Sequence, residues 1–251
     1  MKINTDINIL GGLPDWKILK SIWNQPIEEV MMGGRLHTFT SLKTEKSAIR
    51  FSKAISATLI KFKNPDIEAL CSSFLAENDL SSDSLMLFFW NASANNDLLH
   101  YLNQGVYFHA LYNGRVRIRQ NEVAACLIDL REREPSLQAW SDSTLKATAS
   151  KYLTLLKKFC LLEGGLVKKI THPYISDKMF IVFVYWLLAT ESKSNLLESE
   201  WLKYVLLEKQ IFVERVMQKK YAQYFQLTYT GDRLTIEAML NYNQIYYAIQ
   251  S

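Results

Sequence analysis

Apolar residues recur at three- and four-residue spacing along most of this chain, and that period constrains the fold more than any other feature. Leu13-Pro14-Asp15-Trp16 opens one helix, with proline near its first turn and Trp16, Ile18, Leu19, Ile22 and Trp23 as its buried stripe up to about Asn24. The segment 41–62 sets Ile49, Phe51, Ile55, Leu59 and Ile60 near helical spacing, with Lys43, Lys46, Arg50, Lys53 and Lys61 around the polar side. Asn64-Pro65-Asp66, Ser81-Ser82-Asp83 and Asn95-Asn96-Asp97 each break the chain and restart a helix. Nine Gly and five Pro among 251 residues are too few for a many-turned β sandwich, so the chain is expected to be mainly α.

A 49% hydrophobic content allows a real core, and the abundance of Leu, Ile, Phe, Tyr and Trp excludes a disordered chain. Cys71, Cys126 and Cys160 are odd in number, far apart and set within apolar helical patterns, which predicts reduced core thiols in a cytoplasmic protein. The first residues, MKINTDINILGG, lack the apolar run and cleavage site of a signal peptide. The most membrane-like stretch, MFIVFVYWLLA at 179–189, falls far short of the ~20 residues that cross a bilayer. A buried helix is expected there, with no membrane as partner.

The distribution of charge says more than its sum. Residues 141–170 hold Lys146, Lys151, Lys157, Lys158, Lys168 and Lys169 against Asp142 and Glu163, a net +4 that equals the formal charge of the whole chain. Within this stretch, WSDSTLKATASKYLTLLKKFCLLEGG reads as a helix capped by Ser141, with Asp142 well placed against the dipole at its start and Gly164-Gly165 at its end. Leu145, Ala149, Tyr152, Leu153, Leu156, Phe159 and Cys160 share one side. Ser143, Thr144, Lys146, Ala147, Ser150, Lys151, Thr154, Lys157 and Lys158 gather on the other. Short side chains let a backbone approach a groove, and hydroxyl and ammonium groups meet phosphates. A capped amphipathic helix with a merely wet polar face shows the same periodicity. The flanking cations tip the reading towards nucleic acid.

Those cations come from both sides. Upstream, Asn113-Gly114 closes the helical pattern DLLHYLNQGVYFHALYN and leads into RVRIRQ, whose alternation suits a short strand or extended arm with Arg115, Arg117 and Arg119 on one face. A helix over 121–134 follows, stopped by Pro135, and PSLQAW offers a short helix or turn. Downstream, LVKKITHPYI can form the limb of a wing carrying Lys168 and Lys169. This order is that of a winged helix-turn-helix, although the short strand usual after its first helix is not evident.

Beyond 177 the pattern predicts an apolar helix (DKMFIVFVYWLLAT), an amphipathic helix around SEWLKYVLLEK, a third through IFVERVMQKKYAQY, and a hairpin in FQLTYTGDRLTIEAML turning at Thr230-Gly231-Asp232. The expected organisation is therefore an N-terminal helical bundle (1–112), a winged helix-turn-helix-like DNA-binding unit (113–176), and C-terminal helices with a small β-hairpin (177–251).

The stretch WSDSTLKATASKYLTLLKKFCLLEG, following GGLPDWKILK, a helix and a basic segment, resembles the BrxA family, the small accessory proteins of BREX phage-defence systems. The similarity runs from Gly11 to about Phe180 and is clearest at Trp140, Ser141, Ser143, Thr144 and Leu161–Gly164. The resemblance implies a mainly helical DNA-binding protein with helix-turn-helix elements and no catalytic activity of its own, acting beside a large methyltransferase and other components. Some members have been labelled inner-membrane proteins, a label to which this sequence lends no spanning segment.

Catalytic signals are weak. His37, His100, His109 and His172 are the only histidines, and His100 and His109 stand nine apart, on opposite sides of one helix, unlike an i, i+4 metal pair. No G-x-S-x-G, P-loop, G-x-G-x-x-G or H-E-x-x-H occurs, and the Gly pairs at 11, 33 and 164 suit helix ends. Glu132 and Glu134 read as solvated charges paired with Arg131 and Arg133. The aromatics of YFHALYN and NYNQIYYAIQ read as core or interface rather than as stacking platforms for single-stranded bases. The expectation is a non-enzymatic protein without cofactor or metal that contacts double-stranded DNA, mostly at its backbone and with weak sequence preference. Arg115, Arg117, Arg119, Ser143, Thr144, Lys146, Ser150, Lys151, Lys157, Lys168 and Lys169 are the contact residues. A scaffold whose apolar C-terminal helices bind another BREX protein, and an RNA-binding protein, are the alternatives.

Overall fold

The computed structural model describes residues 3–23, 42, 44–75 and 80–250. His37, Lys43 and the glycine pair at 33 lie outside the described residues, as does the expected end of the first helix at Asn24. The protein is mainly α. Its contacts group into two compact units, each drawn from separated stretches: Met1–Lys61 with Phe88–Thr171, and Phe62–Leu87 with His172–Ser251.

In the first unit, helices α1 (Asp6–Leu10), α2 (Lys17–Trp23) and α3 (Glu45–Thr58) precede the long apolar α5 (Ser82–Asn95), whose residues from Phe88 onward belong here. Helix α4 (Pro65–Leu75) belongs to the other unit. Asn96 then caps α6 (Asp97–Leu102), its side chain accepting from the Leu99 amide at 2.9 Å. The helix continues through a π-helical turn, Asn103–Phe108, into α7 (His109–Tyr112). This wider turn coincides with a buried polar link: Asn103 donates to Ser93 Oγ at 3.0 Å and accepts from Tyr152 OH at 3.0 Å. Phe89 packs edge-on against Tyr107 and tilted against Phe159, which in turn meets Trp16 with ring centres 5.3 Å apart.

The segment RVRIRQ, expected as a short strand or extended arm, forms a short strand and takes the place of the strand that follows the first helix of a winged unit. β1 (Arg117–Ile118) lies between α7 and α8 (Gln120–Arg133), so the helix preceding it is the 97–112 helix rather than the one over 121–134. A short 3₁₀ turn (Pro135–Leu137) joins α8 to α9 (Asp142–Lys158), and β2 (Leu162–Glu163) and β3 (Lys168–Ile170) complete an antiparallel sheet in the order β1-β3-β2. Helix α9 does not run to Gly164-Gly165. It ends when Cys160 takes a left-handed conformation (φ 61°), and Gly164 serves the β2–β3 turn instead. Of the three thiols, Cys71 is buried, Cys126 is half-buried, and Cys160 is exposed rather than in the core.

In the second unit, α10 (Asp177–Thr190) is the apolar helix expected, and Met179 through Leu187 are buried in it. The amphipathic α-helix expected around 199–209 is a 3₁₀ helix, Glu200–Val205. Ser199 caps it by accepting from the Trp201 amide two residues on, and Leu206 ends it at φ 60°. After α11 (Lys209–Val216), strands β4 (Phe225–Tyr229) and β5 (Leu234–Ala238) form the expected hairpin, with Leu227 opposite Ile236. Helix α12 (Tyr242–Ala248) packs on α4, where Tyr246 meets Phe74 edge-on. Among the described residues no helix is long and apolar enough to cross a membrane.

Candidate nucleic-acid interface

Helix α9 is fixed at its start by two devices. Ser141 Oγ accepts from the Thr144 amide at 3.2 Å, and Arg131 reaches from α8 to donate to both the Trp140 carbonyl (2.9 Å) and the Asp142 carboxylate (2.8 Å). Arg131 is thus paired with Asp142 and not with the glutamates beside it. The pairing offsets the one acidic side chain of the helix, which would otherwise repel a polyanion. About one turn in, Gln120 donates to the Lys146 carbonyl at 2.8 Å, tying α8 to α9.

The apolar side of α9 is buried as its period requires, through Leu145, Ala149, Tyr152, Leu153 and Leu156. Thr148 and Leu155 are buried with them, wider coverage than the sequence reading assigned. Ser143, Lys146, Ala147, Ser150 and Lys157 are exposed, and their spacing sets them in one strip along the helix with the half-buried Thr154. Thr144 is half-buried, its hydroxyl 3.0 Å from Ser141 Oγ. Lys151 is exposed at the edge of the strip, beside the end of α1, where a side chain on Gly11 would come within 2.4 Å of the Lys151 carbonyl oxygen. Only glycine permits that approach. Trp16 covers the next turn, donating to the Lys158 carbonyl at 3.1 Å.

The β2–β3 hairpin extends this surface. Lys157 Nζ donates to the Gly164 carbonyl at 2.7 Å, which fastens the turn of the hairpin to the exposed strip of α9. In the sheet, Lys169 stands opposite Arg117 on one side and Glu163 on the other, so these three share the outer face. Lys168 is opposite the buried Ile118 and takes the other face, where burial and the neighbouring Lys157 ammonium lower its pKa. Two ammonium groups that raise each other's energy gain together when an anion settles between them.

The three upstream arginines part company. Arg117 joins Lys169. Arg115 is held in an ion pair with Glu122, and Arg119 is exposed where α8 begins, its amide donating to Glu122 at 2.8 Å. The two-residue strand is too short to set all three guanidinium groups on one face. Arg117, Lys146, Lys151, Lys157, Lys168 and Lys169 form no ion pair among the described residues. Sequence reasoning did not find Gln120, which acts on a backbone carbonyl 26 positions along the chain, and paired Arg131 with its neighbouring glutamates, whereas it holds the start of α9. Among the described residues no group of three or more His, Cys, Asp or Glu is placed to hold a metal ion.

Residues 14–183, more than half of the chain, match the family model BrxA, and the match spans α9 together with its hairpin. The chain belongs to the BrxA family. It is thereby a BREX-associated protein, from a family of phage-defence components. No curated protein and no solved structure gives a significant match.

Proposed function

We propose that this BrxA-family chain is a non-enzymatic accessory protein of a BREX-type phage-defence system that binds double-stranded DNA, mostly through the phosphate backbone and with weak sequence preference. One observation carries the reading: the exposed strip Ser143, Lys146, Ala147, Ser150, Thr154 and Lys157 is joined to the cation-bearing hairpin where Lys157 meets Gly164 beside Lys168, while the lone acidic residue of α9 is engaged by Arg131. The order helix, strand, helix, turn, helix, hairpin over 97–170 supports a winged helix-turn-helix, whose third helix enters the major groove. Serine, threonine and lysine contact phosphates well but seldom read a base edge in the bidentate manner of Arg, Asn or Gln. Weak sequence preference follows from that choice of side chains.

The test is a gel shift with the double variant Lys146→Glu, Lys151→Glu. Both positions are exposed, so the circular dichroism spectrum is expected to stay native while the shift of duplex DNA disappears. Undiminished binding by the variant would remove α9 from the interface. Competition between duplex DNA and structured RNA separates this reading from an RNA-binding one, and RNA winning that competition would overturn it.

A further inference from the structure

The turn between β2 and β3 is built tightly. Gly164 has φ +92°, and a Cβ there would lie 2.4 Å from the Val167 carbonyl oxygen, so no other residue closes the turn without strain. Closure leaves Leu166 fully exposed and Val167 about half so, at 53%. Two adjacent aliphatic side chains held in water at the end of a constrained hairpin are unfavourable unless something covers them.

Charge identifies what covers them. Lys157 is hydrogen-bonded to Gly164, Lys168 and Lys169 follow Val167 directly, and Arg117 stands opposite Lys169. Arg119 follows Ile118, the partner of Lys168, and so lies on the turn side of the sheet. Against these five cations the hairpin carries one carboxylate, Glu163, itself opposite Lys169. An aliphatic tip inside a cationic collar is poorly matched to an apolar protein socket. It is well matched to a duplex groove, whose walls are phosphates and whose floor is base-pair edges, behind which lie flat apolar base faces that an aliphatic wedge reaches where a step is partly unstacked.

Resting on the DNA-binding reading, we infer that Leu166, backed by Val167, is a wedge that enters the minor groove next to the major groove contacted by α9 and partly unstacks one base step. The collar holds the backbone while the tip pries. Sequence then enters through deformability: pyrimidine–purine steps open readily and A-tracts resist. The protein discriminates between duplexes whose base edges it does not read.

The experiment uses the intact chain at fixed salt with two end-labelled duplexes of about 25 bp, one with a central TA step and one with an A-tract, read by energy transfer and anisotropy. The TA duplex is expected to shorten end to end on binding and to bind about tenfold more tightly. Leu166→Ala is expected to bind both at the A-tract level without shortening either, and Leu166→Met to restore the bend. Equal binding of both duplexes by the intact chain, without bending, overturns the wedge while DNA binding stands. Loss of all binding by a natively folded Leu166→Ala also overturns it, because the tip would then be a general contact. Failure of the intact chain to bind either duplex overturns the wedge and the DNA-binding reading together.

Discussion

At the scale of single residues, the left-handed position at the end of α9 shows how backbone demand can hide in a sequence. Cys160 has φ 61°, a conformation that costs an L residue about 1 kcal/mol and that glycine adopts freely. Its amide still donates to the Lys157 carbonyl at 3.0 Å, and Thr171 Oγ1 donates to the Cys160 carbonyl at 2.6 Å, so the turn is held despite the strain. Cys160→Gly is therefore expected to raise stability by about 1 kcal/mol in urea titration, and a destabilised variant would contradict the strain assignment. The sequence pointed to Gly164 instead, since glycine is the usual helix terminator. Thiol labelling of the folded protein is expected to modify Cys160 quickly and to spare Cys71, which is buried and whose thiol is raised in pKa by that burial. Rapid modification of Cys71 in the native state would contradict that burial.

At the scale of elements, long helices with strong periods were legible and short elements stabilised by distant partners were not. Helix α9 begins where Ser141 caps it, α10 spans the expected apolar segment DKMFIVFVYWLLAT, and the hairpin β4–β5 turns where Thr230-Gly231-Asp232 predicts. Strand β1 lies within RVRIRQ, whose alternation suits a short strand, but its pairing with Lys168 and Lys169, some fifty positions away, is announced by no local pattern. The 3₁₀ helix over Glu200–Val205 carries the same amphipathic period as an α-helix over so few residues. The start of α10 is secured by a further distant contact. Asp177 accepts from Lys220 Nζ (2.5 Å), Tyr221 OH (2.6 Å) and Arg215 Nη2 (3.0 Å), and these donors, Lys220 foremost and Tyr221 next, lower its pKa to about 2. Because the folded pKa lies below the unfolded value of about 3.9, this carboxylate stabilises the fold in full above about pH 4 and loses that contribution as the pH falls towards 2. Asp177→Asn is expected to lower the urea midpoint at pH 5 and to converge with the parent near pH 2, with a modest gap because the side chain is nearly half exposed. Equal midpoints at pH 5 would contradict the assignment.

At the scale of the whole molecule, the mainly helical class followed from the apolar period and the scarcity of Gly and Pro. The grouping into units did not, since α4 and the stretch around it join the C-terminal residues through partners such as Phe74 and Tyr246 that the linear sequence separates. For the candidate interface, the period of α9 located its exposed strip, while the hairpin cations were recognisable only by type. Their continuity with the strip depends on Lys157 meeting Gly164. The central claim is that this continuous surface neutralises phosphates. Fluorescence anisotropy with a duplex of fixed sequence, repeated across a series of salt concentrations, tests it most directly. If Arg117, Lys146, Lys157, Lys168 and Lys169 each displace one condensed counterion, log K against log salt falls with a slope of about −4.5, and Lys146→Glu makes that slope shallower by about 1. An affinity indifferent to salt, or no binding even at low salt, would contradict the account.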